Sequence, residues 1–314
     1  MTGVAPAAHS QLSPPQLAGL SADQALAAVG ALGEVWYSTD SCRSGEFDGI
    51  RYQADGNVLY GVVDVEEADF PAIHGTLPLQ RATESAYRRI FALLDREGYP
   101  YLWRTWNYLA EINREVGGME RYRQFNIGRH DAFVASGRLA HGNVPAACAL
   151  GTTRGPLTIA FMAGKSVPVP LENPRQTSAY DYPAIYGPRS PTFSRAAFVH
   201  LPGQELLLIS GTASIVGHRT MHVGDIDGQT RETVANIAAL LESANHQARA
   251  MHYALAELRL RVYIRHADHH ARVQAILEEL VGPGATIAYV QADICRADLL
   301  VEVEAMAAHP MGNC

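Results

Sequence analysis

The sequence contains almost no lysine. Lys165 is the single lysine among 25 basic side chains in 314 residues, and the others are arginines. A Schiff-base mechanism therefore has one candidate nucleophile, and a site for anions must use mainly arginine, histidine, hydroxyl or backbone N–H donors. Arginine suits carboxylates because its planar guanidinium can bind both oxygens. Since the net charge is −7, the basic footprint of nucleic-acid binding is missing, and no nucleic-acid partner is expected.

Cysteine is also scarce, and long apolar runs are missing. The cysteines Cys42, Cys148, Cys295 and Cys314 form no CxxC pair, which argues against zinc-ribbon and thioredoxin-like sites. We expect reduced thiols in a cytoplasmic protein. The apolar runs are far shorter than the about 20 residues of a membrane span, so no membrane partner is expected. Residues 1–25 lack a signal-peptide pattern, and we expect them to form a disordered tail.

Motifs for common cofactors are missing as well. The glycines near residues 211 and 224 lack the spacing of a nucleotide-binding loop, and no GxSxG nucleophile motif occurs. His266, His269 and His270 lie close together, but without an HExxH pattern a histidine-rich helix start is more typical of a solvated surface. We therefore expect neither a metal nor another cofactor.

Hydrophobic periodicity predicts both helices and strands. Helices are predicted at 83–97 with Thr83 as N-cap, at 229–255 as two helices broken near 243–245, at 268–280, and more weakly at 17–30. Strands are predicted at 58–63, 124–128, 157–163, 197–200, 205–210, 259–264, 285–291 and 299–305. The segment 165–194 is rich in proline, tyrosine and arginine, which predicts either an interdomain connector or a segment that lines a site.

The C-terminal third contains four motifs that together form a signature. They are Leu208-Ile-Ser-Gly-Thr-Ala, Gly224-Asp225, Gln229-Thr-Arg-Glu-Thr-Val-Ala-Asn236 and Asp298-Leu-Leu-Val-Glu302-Val-Glu304. With this signature the C-terminal third resembles the reactive-intermediate deaminase (RidA/YjgF-like) superfamily. The resemblance implies an α+β fold of chorismate mutase-like topology, in which helices cover one face of a mixed sheet. It divides the chain into an N-terminal domain (26–164), a connector that lines the site (165–194) and a RidA-like domain (195–314). The N-terminal domain is either an appended domain or a degenerate unit of the same kind as the RidA-like domain.

Longer distinctive stretches occur along most of the chain. They are RYQADGN (51–57), WRTWNY (103–108), RYRQFNIGR (121–129), ENPRQTSAY (172–180), YGPRSPTFSR (186–195) and ISGTASI (209–215). With these stretches the whole chain resembles a narrower family, the chorismatases. The resemblance implies conversion of chorismate into 3-hydroxybenzoate and pyruvate, as in secondary metabolism, with no metal, redox cofactor or net water. A RidA-like binding protein without turnover remains the alternative from another class.

The implied reaction requires a protonated carboxylic acid. Protonation of the enolpyruvyl methylene activates the ether C–O bond, and burial can keep an acid neutral for that purpose. Alternation along the last strand places Glu302 and Glu304 on one face. From periodicity alone this face would be the solvent side of a half-buried strand. The resemblance instead implies that Glu302 is the acid and that Glu304 is an ordinary surface carboxylate.

Two further residues are implied to select the product. The combination of Cys295 and Gly211 resembles the pattern of the chorismatase branch that forms 3-hydroxybenzoate. The hydrolysing branch has alanine at both of these positions. A glycine leaves room for the ring to shift, and a thiol can assist removal of a ring proton. Formation of 4-hydroxybenzoate as well, and hydrolysis to 3,4-dihydroxycyclohexa-1,5-diene carboxylate, stay open as alternatives.

The resemblance also implies residues that bind the two substrate carboxylates. They are Arg129, Tyr182, Arg195 and Arg265. Where RidA-like deaminases have an arginine on the penultimate strand, this chain has Ala285-Thr-Ile-Ala-Tyr289, so imine deamination is not expected. RidA-like deaminases are usually trimers, but a chain with two such units can fill more of the barrel itself, so we expect a monomer.

Overall fold

The computed structural model describes residues 10–12, 36–38, 41–139, 144–282 and 285–311. The helices are α1 (Pro78–Glu97), α2 (Arg121–Ala135), α3 (Ile226–Asn245) and α4 (His270–Val281). The strands are β1 (Ser10–Leu12), β2 (Trp36–Ser38), β3 (Arg43–Phe47), β4 (Ile50–Ala54), β5 (Val58–Val65), β6 (Tyr101–Ala110), β7 (Glu115–Val116), β8 (Met119–Glu120), β9 (Ala146–Thr152), β10 (Leu157–Gly164), β11 (Val169–Leu171), β12 (Ala196–Leu201), β13 (Gln204–Ala213), β14 (Ile215–Val216), β15 (Arg219–Thr220), β16 (Arg259–Ile264), β17 (Thr286–Gln291), β18 (Asp293–Ile294) and β19 (Val301–Pro310).

Two mixed sheets dominate the fold, and they share one topology. The first sheet has the order β18-β9-β6-β10-β5-β4-β3, and the second has the order β11-β12-β13-β19-β16-β17. In chain order, β4-β5-α1-β6-α2-β9-β10 corresponds to β12-β13-α3-β16-α4-β17-β19. The single parallel pair of each series, β6 with β9 and β16 with β17, occupies the same place. We call the first sheet with α1 and α2 the N-terminal half, and the second sheet with α3 and α4 the C-terminal half.

The two sheets pack face to face, and the helices cover their outer faces. The core between the sheets is rich in aromatic side chains, including Trp103, Trp106 and Tyr263. Separate apolar cores lie beneath α1 and α2 on one side and beneath α3 and α4 on the other. Both faces of each sheet are thus buried, as in other sheets with a helical layer on one side and a second sheet on the other.

Local sequence explains where the two long helices begin and end. Pro78 starts α1, where its missing N–H is not needed, and Gly98 ends it with a φ of 75° that favours glycine. Asp225 caps α3 by accepting hydrogen bonds from the backbone N–H groups of Asp227 and Gly228, both at 3.1 Å. No helix among the described residues is long and apolar enough to cross a membrane.

The predicted α+β class, with mixed sheets covered by helices on one face, is confirmed, but several local predictions are wrong. Residues 124–128 belong to α2 and not to a strand. This helix buries the polar side chains Gln124, Asn126 and Arg129, which conceal its apolar periodicity. Thr83 lies inside α1, where its hydroxyl donates to the carbonyl of Leu79, so it is not the N-cap.

Other outcomes concern the ends of segments. The pattern at 229–255 yields one helix that ends at Asn245, and no second α-helix follows before β16. The expected tail at 1–25 and the weak helix at 17–30 lie outside the described residues, apart from Ser10–Leu12.

Candidate active site

A cavity of about 310 Å³ lies where the two halves meet. It is lined by the ends of β13 and β19, the start of α2, the segment before β12 and the loop between β18 and β19. The lining side chains include Tyr122, Arg123, Tyr182, Tyr186, Phe193, Arg195, Cys295, Arg296 and Glu302, with Gly211 and Ala213 beside them. The volume falls within the range of about 300–1,000 Å³ typical of small-molecule sites.

Glu302 is the buried acid of this cavity. It lies on β19 with its side chain toward the first sheet, it is 3% exposed, and its Oε1 atom has no hydrogen-bond partner among the described residues. Burial, reinforced by the negative charge of Glu304, raises the pKa of Glu302 to about 8. The carboxyl group is therefore largely protonated at neutral pH, which is the state that general acid catalysis requires.

Glu304 is not the surface carboxylate that the sequence predicted. It is 4% exposed, and its oxygens accept hydrogen bonds from Arg104 at 2.6 Å and Arg261 at 2.7 Å. Although burial favours the neutral form, the charges of these two arginines hold the pKa of Glu304 below its usual value. The face of β19 that periodicity assigned to solvent packs against the other sheet, and this is why the prediction was wrong.

Cys295 lies beside the acid as a neutral thiol. Its Sγ atom is 3.9 Å from Oε2 of Glu302. Burial, followed by the nearby Glu302 charge, raises the pKa of the Cys295 thiol. The residue follows β18, a short strand that leaves the C-terminal half and pairs with β9 of the N-terminal half. This crossing places the thiol at the boundary between the halves.

Gly211 provides the space in which the Glu302 side chain lies. A Cβ atom at this position would lie 2.0 Å from Oε1 of Glu302 and 3.1 Å from Cβ of Cys148. The register between β13 and β19 shifts between Ile209 and Thr212, so Gly211 occupies an irregular part of the ladder. Bulges of this kind often occur beside active sites, where they redirect side chains.

One predicted pair of substrate-binding residues reaches the cavity. Arg195 is 5% exposed and donates through Nη2 to the Tyr182 hydroxyl at 2.9 Å and to the Thr177 carbonyl at 2.7 Å. Its Nε atom is buried and has no hydrogen-bond partner in the part of the chain that the structure describes. Its guanidinium also lies over the rings of Phe193 and Tyr182. The guanidinium is therefore fixed in place and retains an unused donor.

Sequence reasoning missed Arg296. This residue lines the cavity, and its guanidinium lies 4.1 Å from the ring centre of Tyr186 and 5.3 Å from that of Tyr182. Its Nη1 atom donates to the His218 carbonyl, whereas Nη2 is buried without a partner. The only signal in the sequence was its position next to Cys295. Tyr122 and Arg123, which α2 brings to the cavity, were missed because α2 itself was not predicted.

The other two predicted substrate-binding residues do not line the cavity. Arg129 is buried in α2, where it contacts the Thr105 hydroxyl at 3.3 Å and lies over the rings of Tyr87 and Phe133. Arg265 pairs with Asp293 at 2.6 Å and donates to three backbone carbonyl groups between 294 and 299. Arg265 thus holds the loop that carries Cys295 and Arg296.

No metal centre is apparent in the described part of the chain. Among those residues, no group of three or more His, Cys, Asp or Glu side chains could hold a metal ion. The rings of His266 and His269 meet edge to face, and the ring of His270 packs against Tyr289.

Comparison with known proteins identifies the relatives of this chain. Residues 34–163 match the family model described as Chorismatase FkbO/Hyg5-like, N-terminal. A chorismatase of Streptomyces rapamycinicus is 38% identical over 88% of this chain and 82% of its own length. A 3-hydroxybenzoate synthase of Streptomyces hygroscopicus is 38% identical over 86% of this chain and 80% of its own length.

Structural comparison agrees with the sequence comparison. A chorismatase crystal structure at 1.08 Å resolution matches 87% of this chain and 81% of its own, with a TM-score of 0.79 and 34% sequence identity. A RutC family protein of Pyrococcus horikoshii is 28% identical over 127 residues, which cover 40% of this chain and 90% of that protein.

Proposed function

This chain belongs to the chorismatase family, and we propose that it converts chorismate into 3-hydroxybenzoate and pyruvate. The observation that carries the proposal is the buried, largely protonated carboxyl group of Glu302, which lines the same cavity as Cys295, Gly211 and three arginines. Chorismate has two carboxylates and an acid-labile enol ether. The cavity therefore offers a counterpart for each reactive feature of that substrate.

We propose that Arg195 and Arg296 bind the two substrate carboxylates. Each has a buried N–H group without a hydrogen-bond partner, and each lies against Tyr182. Charge-assisted hydrogen bonds to a carboxylate would satisfy these donors. Tyr182 fixes Arg195 by accepting its hydrogen bond. Arg129 and Arg265, which the resemblance also implied for this role, are left out of the proposal because they do not line the cavity.

The acid step begins at Glu302. The protonated carboxyl group transfers its proton to the terminal methylene of the enolpyruvyl group, which leaves positive charge on the ether carbon. The neighbouring ring hydroxyl adds to this carbon and releases its proton. The ring then loses the hydrogen of its ether-bearing carbon while the bond between the hydroxyl oxygen and the ring breaks, and that oxygen becomes the keto oxygen of pyruvate as the bond between the pyruvyl carbon and the ether oxygen breaks. The ether oxygen stays on the ring and takes up one of the two released protons. The other proton restores the acid form of Glu302, so the reaction balances without water, metal or redox cofactor.

Cys295 and Gly211 are proposed to direct the ring step. The thiol lies against Glu302 and is neutral, so it can relay the ring proton but does not begin as a thiolate base. The product depends on which of the two neighbouring ring oxygens remains. Retention at the ether-bearing carbon gives 3-hydroxybenzoate, retention at the hydroxyl-bearing carbon gives 4-hydroxybenzoate, and capture of water gives the diene-diol carboxylate.

Purified protein incubated with chorismate tests the proposal. Pyruvate is measured with a coupled lactate dehydrogenase assay, and aromatic products are separated by chromatography. We expect pyruvate and 3-hydroxybenzoate in equal amounts. Excess pyruvate with diene-diol would favour the hydrolase alternative. Chorismate that binds but decays only at its uncatalysed rate would indicate a RidA-like binding protein and contradict the proposal.

We also propose the organisation and setting of the protein. The two units are residues 26–164 and 195–314, with 165–194 as the connector and 1–25 as a tail. Because the inner faces of both sheets pack on each other within one chain, we propose a monomer, and a light-scattering mass of three chains would contradict it. The thiols of Cys148 and Cys295 form no disulfide with the described residues, which supports a cytoplasmic location that cell fractionation can test.

A further inference from the structure

Two carboxyl groups lie two residues apart on one face of β19 in opposite electrostatic surroundings. Glu304 accepts hydrogen bonds from Arg104 at 2.6 Å, Arg261 at 2.7 Å, Trp106 at 3.1 Å and Tyr263 at 3.1 Å. Glu302 forms no salt bridge with the described residues, and its Oε1 atom has no hydrogen-bond partner. The guanidinium groups of Arg104 and Arg261 therefore both pair with Glu304, and neither pairs with Glu302.

The other groups that face Glu302 are neutral near pH 7. They are Cys295 after β18, Cys148 on β9, Tyr263 opposite it on β16, and Tyr122 on α2. Burial raises the pKa of all four side chains. The strongest charges that act on Glu302 are therefore those of Glu304 and Arg104, and Arg261 pairs with Glu304. The charged side chains that line the same cavity are Glu120, Arg123, Arg195, Arg296 and Asp298.

We propose that Glu304 is a positioning residue that keeps the guanidinium groups of Arg104 and Arg261 in ion pairs and thereby keeps the carboxyl of Glu302 protonated. Arg104 comes from β6 of the N-terminal half, and Arg261 from β16 of the C-terminal half. Without the Glu304 charge, the surroundings of Glu302 become more positive by one unit, and its ionised form becomes more favourable. When two acidic side chains in one site have opposite electrostatic surroundings, one is often kept charged and the other neutral in this way.

The pH dependence of pyruvate release tests this inference, which rests on the proposed function. Wild-type activity falls as pH rises through the titration of Glu302, because only the protonated form donates. In Glu304→Gln we expect this basic limb to move to lower pH by about 1–3 units, the usual effect of a nearby opposite charge. The rate lost at pH 7 should return at lower pH. A merely structural role would lower the rate at every pH and leave the limb in place.

The opposite charge change provides a second test. Arg104→Gln removes a positive charge near Glu302, so the basic limb should move to higher pH. Glu205→Gln is the matched control, because Glu205 is a buried, hydrogen-bonded carboxylate at the other end of β13 and should not move the limb. The inference is overturned if the basic limb of the pH profile stays in place in both Glu304→Gln and Arg104→Gln, or if it moves in the same direction in both. Either variant decides the question if the other does not fold.

A readout without turnover separates this inference from the proposed function. The infrared band of a protonated carboxyl group that disappears in Glu302→Gln reports Glu302 directly, and its titration can be followed in each variant. If wild-type protein leaves chorismate unchanged, the proposed function fails. The inference on Glu304 then stands only if this band titrates at lower pH in Glu304→Gln than in wild type, and it fails if the titration is unchanged.

Discussion

The two halves of the molecule share their strand order but differ in the last strand of each series. On β10 the side chains that face the opposite sheet are Ala160 and Met162, whereas on β19 they are Glu302 and Glu304. The connection to the last strand also differs between the halves. In the N-terminal half a short turn joins β9 to β10, whereas in the C-terminal half the chain between β17 and β19 crosses to the first sheet and forms β18 there. The same topology thus buries two apolar side chains in one half and two carboxyl groups in the other.

The N-terminal half still takes part in the site. Its Arg104 and Trp106 hold Glu304, and its helix α2 brings Tyr122 and Arg123 to the cavity. Matched substitutions in the two halves can therefore distinguish residues that act on the substrate from residues that only stabilise the fold.

The largest expected effect is that of Glu302→Gln. Removal of the general acid should lower pyruvate release by about 10²–10⁴-fold. The fold should persist, because the amide has nearly the same shape and Oε1 of Glu302 has no partner to lose. Steady-state pyruvate assays and circular dichroism check both statements, with Glu205→Gln as a buried-carboxylate control that should keep the wild-type rate. Wild-type pyruvate release in Glu302→Gln would end the acid assignment.

The next largest expected effect is that of Arg296→Gln in the cavity, which is compared with Arg129→Gln in the N-terminal half. Arg296→Gln should raise KM for chorismate by about 10- to 100-fold, since a hydrogen bond to a charged group contributes about 1.5–3 kcal/mol. Arg129→Gln should leave KM within about twofold and lower the melting temperature, because Arg129 packs within its own half. The two variants are compared by steady-state kinetics and thermal unfolding. A higher KM in Arg129→Gln alone would restore Arg129 as the substrate-binding residue.

A glycine from each half gives a third contrast. At Gly211 an added Cβ meets the mobile end of Glu302 at 2.0 Å, whereas at Gly61 it meets the buried Phe161 ring at 2.4 Å. Gly211→Ala should slow pyruvate release by about tenfold and shift the product toward the diene-diol, with little change in stability. Gly61→Ala should destabilise the protein by about 1–3 kcal/mol, the usual effect of overpacking, and retain the product ratio. Denaturant unfolding and product chromatography separate the two, and an unchanged product ratio in Gly211→Ala would remove its role in selectivity.

The buried acid also makes stability depend on pH. Glu302 has a folded-state pKa of about 8, above its usual value of 4.5. Between these values the unfolded chain has released the proton that the folded chain retains, so wild-type stability should decline as pH rises from 4.5 to about 8. Glu302→Gln lacks this titration, and its melting temperature should rise relative to that of wild type across the same range. A difference that stays constant with pH would contradict the raised pKa.

The sequence predicted the fold family and indicated Glu302 as the candidate acid, but it did not predict the surroundings of Glu302. Motifs around Ser210 and Glu302 are contiguous, and resemblance could find them. Glu304 was assigned to the surface because alternation shows which side chains share a face but not what covers that face. Arg296 and α2 were missed for a related reason. Their roles depend on contacts between segments far apart in the chain, and the polar buried side chains of α2 obscure its period.

The smallest expected change in rate is that of Cys295→Ala. The thiol is a neutral neighbour of Glu302 and donates its S–H at 3.9 Å, so its loss leaves the acid buried and protonated, and pyruvate release should continue within about threefold of the wild-type rate. If the thiol relays the ring proton, 3-hydroxybenzoate should give way to the diene-diol or to 4-hydroxybenzoate. Cys148→Ala is the matched thiol control, because Cys148 comes from the N-terminal half and lies behind Gly211. Pyruvate and aromatic products are measured in parallel for both variants. An unchanged product ratio in Cys295→Ala would reduce Cys295 to a small apolar residue at the boundary between the halves, and the chemical difference between the two last strands would then rest on the glutamates alone.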